Sequence, residues 1–211
     1  SANQRKGRCG RLADGICIRL YSEQDFVSRP EFTDPEIQRT NLAAVILQML
    51  NLRLGHIEKF PFIDAPDFKM IRDGYKLLEE LGAVDARGKL TSDGRKLARL
   101  PVDPRIGRMV LAGSENNSLQ ELLVIASALS VQDPRERPAD KQQAADEKHR
   151  RFWDEQSDFV AYVNLWNYYE LQRQQLSQNQ LRKLGQREFL SFLKMREWRE
   201  IHHQLTVACR Q

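Results

Sequence analysis

Guanidinium groups crowd one short stretch of this sequence. Gln4-Arg5-Lys6-Gly7-Arg8-Cys9-Gly10-Arg11 holds three arginines and a lysine, with two glycines between them. A guanidinium is planar, permanently charged and matched in shape to phosphate oxygens. Glycines let a backbone come close to a ligand. If the cluster is buried it needs an anion, and a triphosphate fits that need. Two other constellations carry less. Asp146-Glu147-Lys148-His149 spells an Asp-Glu pair of the kind that holds Mg²⁺, but a polar helix-forming run precedes it instead of an apolar strand, so it reads as a solvated helix face. His202-His203 with Cys209 could suggest zinc. Adjacent histidines point about 100° apart on a helix, and no second Cys/His pair stands near, so no metal is expected.

The pattern Gln-Arg-x-Gly-Arg-x-Gly-Arg resembles motif VI of the superfamily 2 helicases, in the form used by the DEAH/DExH-box ATP-dependent RNA helicases. The resemblance runs from Gln4 to about Leu205. It includes Asp34-Pro35-Glu36-Ile37-Gln38-Arg39-Thr40-Asn41-Leu42 and the join through Gly88-Lys89-Leu90-Thr91 to Leu100-Pro101-Val102-Asp103-Pro104-Arg105. Arg8-Cys9-Gly10, Ser157-Asp158-Phe159 and Leu165-Trp166-Asn167 look most like the bacterial HrpA-type members.

The resemblance implies that Gln4, Arg8 and Arg11 reach the phosphates of ATP, with Arg8 and Arg11 as catalytic arginine fingers and Arg5 in support. It implies ATP and Mg²⁺ as cofactors of an intact protein that moves 3′ to 5′ along single-stranded RNA. The nucleotide would lie between two RecA-like lobes, and an OB-fold would follow the helical part. No Gly-x-x-x-x-Gly-Lys-Ser/Thr loop is present: Gly88-Lys89 continues with Leu90. The expectation is therefore the C-terminal accessory part of a helicase, inactive alone and binding no cofactor alone, partnered by an absent N-terminal RecA-like lobe and an absent OB-fold. The alternative is a non-enzymatic winged-helix nucleic-acid-binding protein.

Composition fits either reading. The chain has 211 residues, 41% of them hydrophobic, a formal net charge of +4 and a pI near 9.0. That is enough apolar material for one or two cores and mildly favourable to a polyanion. Three scattered cysteines argue for a reducing compartment, taken as cytoplasmic. No run approaches the ~20 apolar residues that a membrane span needs.

The elements that would position these residues give a mainly α fold with a short α/β remnant. Residues 1–33 read as the end of the second RecA-like lobe. Within them Gly15 to Tyr21 is the last strand, followed by a short helix capped by Ser22; deprived of its sheet, that strand is a candidate for swapping into a dimer. Residues 34–101 read as a winged helix. Asp34-Pro35 starts it, a buried helix runs from Leu42 to Leu54 and ends at Gly55, and Pro66 opens a helix with Phe68, Ile71, Tyr75, Leu78 and Leu81 on one face. A hairpin then turns at Gly88, and Ser92 caps a helix to Leu100. The charges on the Phe68–Leu81 helix are mixed, which suits a structural spacer better than a nucleic-acid reader.

Residues 102–211 read as a bundle of about five helices. Ser118 caps a buried helix from Leu119 to Val131. The aromatic stripe Phe159, Tyr162, Trp166 and Tyr169 reads as core in preference to a base-stacking platform. Gln172 to Gln180 reads as a polar linker. In the last helix Lys183, Arg187 and Lys194 form one stripe, with Arg196 nearby, and these four are the candidate contacts to RNA phosphate.

Overall fold

A computed structural model describes residues 2–10, 13–29, 36–38 and 41–210. The chain divides into two compact units, residues 1–39 and 40–211.

In the first unit, helix α1 spans Ala2–Lys6 and helix α2 spans Glu23–Ser28. The serine cap predicted for α2 is present: the Ser22 side chain accepts from the Asp25 backbone N–H at 3.1 Å. A small cluster braces this helix. Arg19 lies over the Phe26 ring at 4.0 Å, Arg29 over Tyr21 at 4.3 Å, and Tyr21 stacks with Phe26 at 6.4 Å. The predicted strand over Gly15–Tyr21 does not form. Residues 14–19 are irregular, and Ile16, Ile18 and Leu20 are 90%, 80% and 95% exposed. A strand needs a partner for its N–H and C=O groups, and no described residue supplies one. Asp34-Pro35, the predicted start of the next element, lies outside the described residues, as do Arg11 and Arg39.

The second unit is helical. Helix α3 (Ala43–Asn51) buries Ala43, Ile46, Leu47 and Met49. It is shorter than the apolar run predicts: Arg53 turns into the left-handed region at φ 57°, and Leu52 and Leu54 are exposed. Helix α4 (Phe68–Glu80) begins two residues later than the proline suggests, because Asp67 supplies the cap, accepting from the Lys69 N–H at 3.3 Å. Its predicted face holds at Ile71 and Leu78 but not at Phe68, which sits in the first turn and is exposed.

The wing is reduced to a single antiparallel bridge, Val84 to Leu90, closed by Asp85 N–H to Lys89 C=O at 2.9 Å with Gly88 at φ 72°. Helix α5 (Ser92–Leu97) is capped by Thr91, not Ser92: the Thr91 hydroxyl accepts from Gly94 N–H at 2.9 Å and donates to Gly82 C=O at 2.6 Å. A Cβ at Gly94 would lie 2.0 Å from the Ala83 carbonyl, so α5 can abut the wing only with glycine there.

The bundle contains α6 (Pro104–Glu115), α7 (Leu119–Leu129), α8 (Gln142–His149), α9 (Asp158–Gln175), α10 (Gln178–Glu188) and α11 (Phe192–Cys209). Ser118 precedes α7 but makes no side-chain cap bond. The predicted linker over Gln172–Gln180 shrinks to Leu176-Ser177, because α9 runs through Gln175 and Ser177 starts α10 with a reciprocal capping box to Gln180. Trp198 is the centre of this core, with none of its surface exposed. Its Nε1–H donates to Val124 C=O at 3.1 Å and Ser127 Oγ at 3.0 Å, so the one polar atom it buries is satisfied. Trp166 and Tyr162 pack on it at 5.2 and 6.0 Å, and Tyr169 is buried nearby. The aromatic stripe is therefore core, apart from Phe159, which is 47% exposed. Burying a ring of that size is worth about 4–6 kcal/mol by area.

Candidate nucleotide and nucleic-acid site

The arginine motif begins as α1 and leaves it in a turn: Arg8 N–H donates to Arg5 C=O at 3.1 Å and Cys9 N–H to Lys6 C=O at 3.0 Å. Gly10 takes φ 79°. The turn folds back tightly, since a Cβ on Gly15 would lie 3.1 Å from the Cys9 Cβ. The Arg19 guanidinium donates to Asn3 Oδ1 at 2.9 Å and holds this return. Gln4 and Arg8 are exposed, and their side chains have no hydrogen-bond or ion-pair partner among the described residues. The cluster is thus not buried within the described residues. A five-residue helix with no apolar face has nothing to sink against. Arg11 lies outside the described residues. What the described part offers is a pair of uncommitted polar side chains on a tight, glycine-bearing turn.

The basic stripe predicted on the last helix is split. Phe189 adopts a left-handed conformation at φ 54° and ends α10; Leu190 then bridges to Arg135 before α11 begins. Lys183 and Arg187 share the outer face of α10, whose inner face buries Leu181, Leu184, Gly185 and Glu188. Lys194 and Arg196 belong to α11 and no longer continue that stripe. The Lys194 ammonium donates to Asp133 C=O at 3.1 Å, and Arg196 is exposed beside exposed Glu197 and near Glu200. Arg187 sits 3.4 Å from the Glu188 carboxylate, and Arg199 is tied to Glu170 at 2.7 Å.

A polar knot sits beside this junction, and sequence reasoning missed it. His149, the last residue of the Asp-Glu-x-His tetrad, is buried; its Nε2 lies 3.0 and 3.2 Å from the Glu188 and Phe189 carbonyls. Two acceptors require that this nitrogen carry the proton and donate. Burial pushes the His149 pKa below the ordinary imidazole value. Glu188, buried, accepts from Arg151 at 2.6 Å. Burial opposes ionisation of Asp133, but its bonds from Arg135 win and hold its carboxyl below the usual carboxylate range. The solvated-face reading of the tetrad holds for exposed Glu147 and Lys148 and fails at His149. Asp146 bonds Arg137 at 2.7 Å.

His202 packs on Trp166 at 4.4 Å and its pKa is lowered by burial, while burial raises that of the Cys209 thiol. Among the described residues no three His, Cys, Asp or Glu side chains converge as metal ligands, and no helix is long and apolar enough to cross a membrane.

Known proteins are similar to this sequence. Residues 75–102 match the winged-helix part of the helicase associated domain (HA2), and residues 103–162 match its ratchet-like part. The chain is similar over its whole length to the ATP-dependent RNA helicase HrpA of Escherichia coli (strain K12), at 61% identity over 216 residues. It is 58% identical over 218 residues to the HrpA homolog of Haemophilus influenzae. A probable ATP-dependent RNA helicase of Mus musculus is 40% identical over 167 residues, which cover 79% of the chain. The chain spans 17% of the length of each bacterial relative and 15% of the mouse one.

Proposed function

Because the chain belongs to the HrpA-type family of DEAH/DExH-box RNA helicases, we propose that it is the accessory segment of an ATP-dependent 3′-to-5′ RNA helicase. The observation that carries this is the motif from Gln4 to Arg11 in a chain alignable over its full length with HrpA. Residues 1–33 close the second RecA-like lobe, 34–101 form the winged helix and 102–211 the helical bundle.

In this reading Gln4 binds ATP, and Arg8 and Arg11 also stabilise the negative charge that develops on the transferred phosphoryl group. The bare side chains of Gln4 and Arg8 support the role. ATP and Mg²⁺ are held by a phosphate-cradling loop outside these residues, so the 211-residue chain alone does not turn over ATP. The bundle walls the path of single-stranded RNA, and Lys183, Arg187, Lys194 and Arg196 contact its phosphates. The split between α10 and α11 places those four on two surfaces that can grip the strand separately. The protein works in the cytoplasm.

The test is Arg11→Ala in a protein extended to include the phosphate-binding lobe. ATP turnover is expected to be abolished while RNA affinity stays largely intact. Preserved turnover with lost RNA binding contradicts the assigned role.

A further inference from the structure

The wing and α5 carry a concentration of positive charge that the roles above leave unused. Lys89, Arg95, Lys96 and Arg99 are all exposed. One hydrogen bond, one helical spacing and one shared pocket bring them near each other. The Arg95 guanidinium donates to the Leu90 carbonyl at 3.4 Å, which lays it along the wing beside Lys89. Arg95 and Arg99, four residues apart, fall on one side of α5 and the turn that follows it. Lys96 and Arg99 line the same pocket of about 370 Å³ at the junction with α6.

Three carboxylates lie near these four cations, and all three are already engaged. Asp85 accepts the backbone N–H groups of Arg87 and Lys89 at 2.9 and 2.8 Å, which holds it within the turn and keeps its carboxyl ionised, with a pKa below the usual range. Asp93 is shared between Lys96 at 3.2 Å and Arg108 at 3.8 Å. Glu115, across the pocket, lies 3.9 Å from the same Arg108. Arg95 and Arg99 have no acidic partner among the described residues. Arg87 differs: it borders a separate pocket that Glu58 and Glu79 also line. The chain as a whole carries only +4, so a strip with two uncompensated cations is a large share of it.

We infer that the strip Lys89–Arg95–Lys96–Arg99 is a second docking surface for the RNA sugar-phosphate backbone, separate from the bundle residues. The choice of RNA as the polyanion rests on the function proposed above. The strip has no exposed aromatic ring among its members and no bidentate pair aimed at one point, so it tracks phosphates without reading bases. It adds affinity and salt dependence, not sequence preference.

The experiment measures binding of the 211-residue chain to a fluorescein-labelled oligouridylate between about 50 and about 200 mM salt. Lys89→Gln/Arg95→Gln/Arg99→Gln is compared with Arg87→Gln and with Lys183→Gln/Arg187→Gln. The triple variant is expected to bind about tenfold more weakly at the low-salt end. Its slope of log affinity against log salt should fall by about 2, since each single-strand phosphate contact contributes about 0.7. Arg87→Gln should stay within about twofold.

Should the triple variant unfold more easily, the pair Lys89→Gln/Arg99→Gln, whose side chains make no hydrogen bond among the described residues, gives the same comparison with about two thirds of the slope change. Unchanged binding in the triple variant, no binding by the parent chain, or equal competition by polyglutamate at matched charge each overturns the inference. If only the α10 variant weakens binding, this inference falls and the bundle contact stands. If the strip binds RNA but the extended protein hydrolyses no ATP, the inference stands and the helicase role falls.

Discussion

The arginine turn and the α7–α11 bundle are opposites. Around Arg8 the residue types speak of chemistry, yet the side chain makes no hydrogen bond or ion pair with a described residue. Around Trp198 the packing is complete and every polar atom of the ring is answered, yet nothing there does chemistry. Each region is incomplete without what the other represents: an active group needs a ligand and a partner surface, and a scaffold needs something to position. The lesson is that a bare functional side chain and a saturated core respond to mutation on different axes.

Four substitutions sharpen the contrast. The largest effect belongs to Arg8→Ala in an ATP-binding extended protein. An arginine finger is worth about 10³–10⁵ in rate, so turnover should fall by at least about 10³ with the unfolding midpoint unmoved. A parallel loss of stability would place Arg8 in the scaffold instead. Next comes Trp198→Ala, which removes a ring buried in contact with Trp166 and Tyr162 and orphans no nucleotide contact. Urea unfolding should show a loss of about 3–5 kcal/mol; a loss under about 1 kcal/mol would mean the core is looser than its geometry.

A smaller effect is pH-dependent. Burial depresses the pKa of both His149 and His202 in the folded chain. Below about pH 6.5 the unfolded chain therefore binds protons that the folded one refuses. Stability should be full above that value and decline as pH falls toward the depressed folded values. The urea midpoint should drop on acidification, and His149→Gln should lessen the drop; a midpoint that rises toward acid contradicts the sign. Smallest is Ser177→Ala, which removes the α10 capping box and should cost about 1 kcal/mol by thermal or urea unfolding.

Much of the fold was legible wherever local chemistry decides structure. Ser22 capped its helix, the hairpin turned at Gly88, and the aromatic stripe proved to be core because its 3.6-residue period had an apolar partner in Trp198. Misreadings fell where a distant group decides. The run after Ser177 looks like one helix because no proline interrupts it. The break at Phe189 is held by groups far off in sequence: the His149 ring on its carbonyl, Glu136 N–H on the same carbonyl, and Pro134 C=O receiving Ser191 N–H. Gly15–Tyr21 has the composition of a strand, but pairing is not a property of one segment. The Ser177–Gln180 capping box was in plain view and signalled a helix start inside the supposed linker. For the candidate site, the motif residues were readable by spacing, whereas the wing strip emerges only when Arg95 is seen against Leu90 and Asp93 is seen to be occupied.

The most direct measurement of the central idea, that the arginines serve a nucleotide held by another lobe, is ATP hydrolysis with and without RNA, by this chain and by one extended to include a phosphate-cradling loop. The account predicts no turnover from the first and RNA-stimulated turnover from the second. Hydrolysis by the 211-residue chain alone, or an extended protein whose turnover ignores RNA, would contradict it.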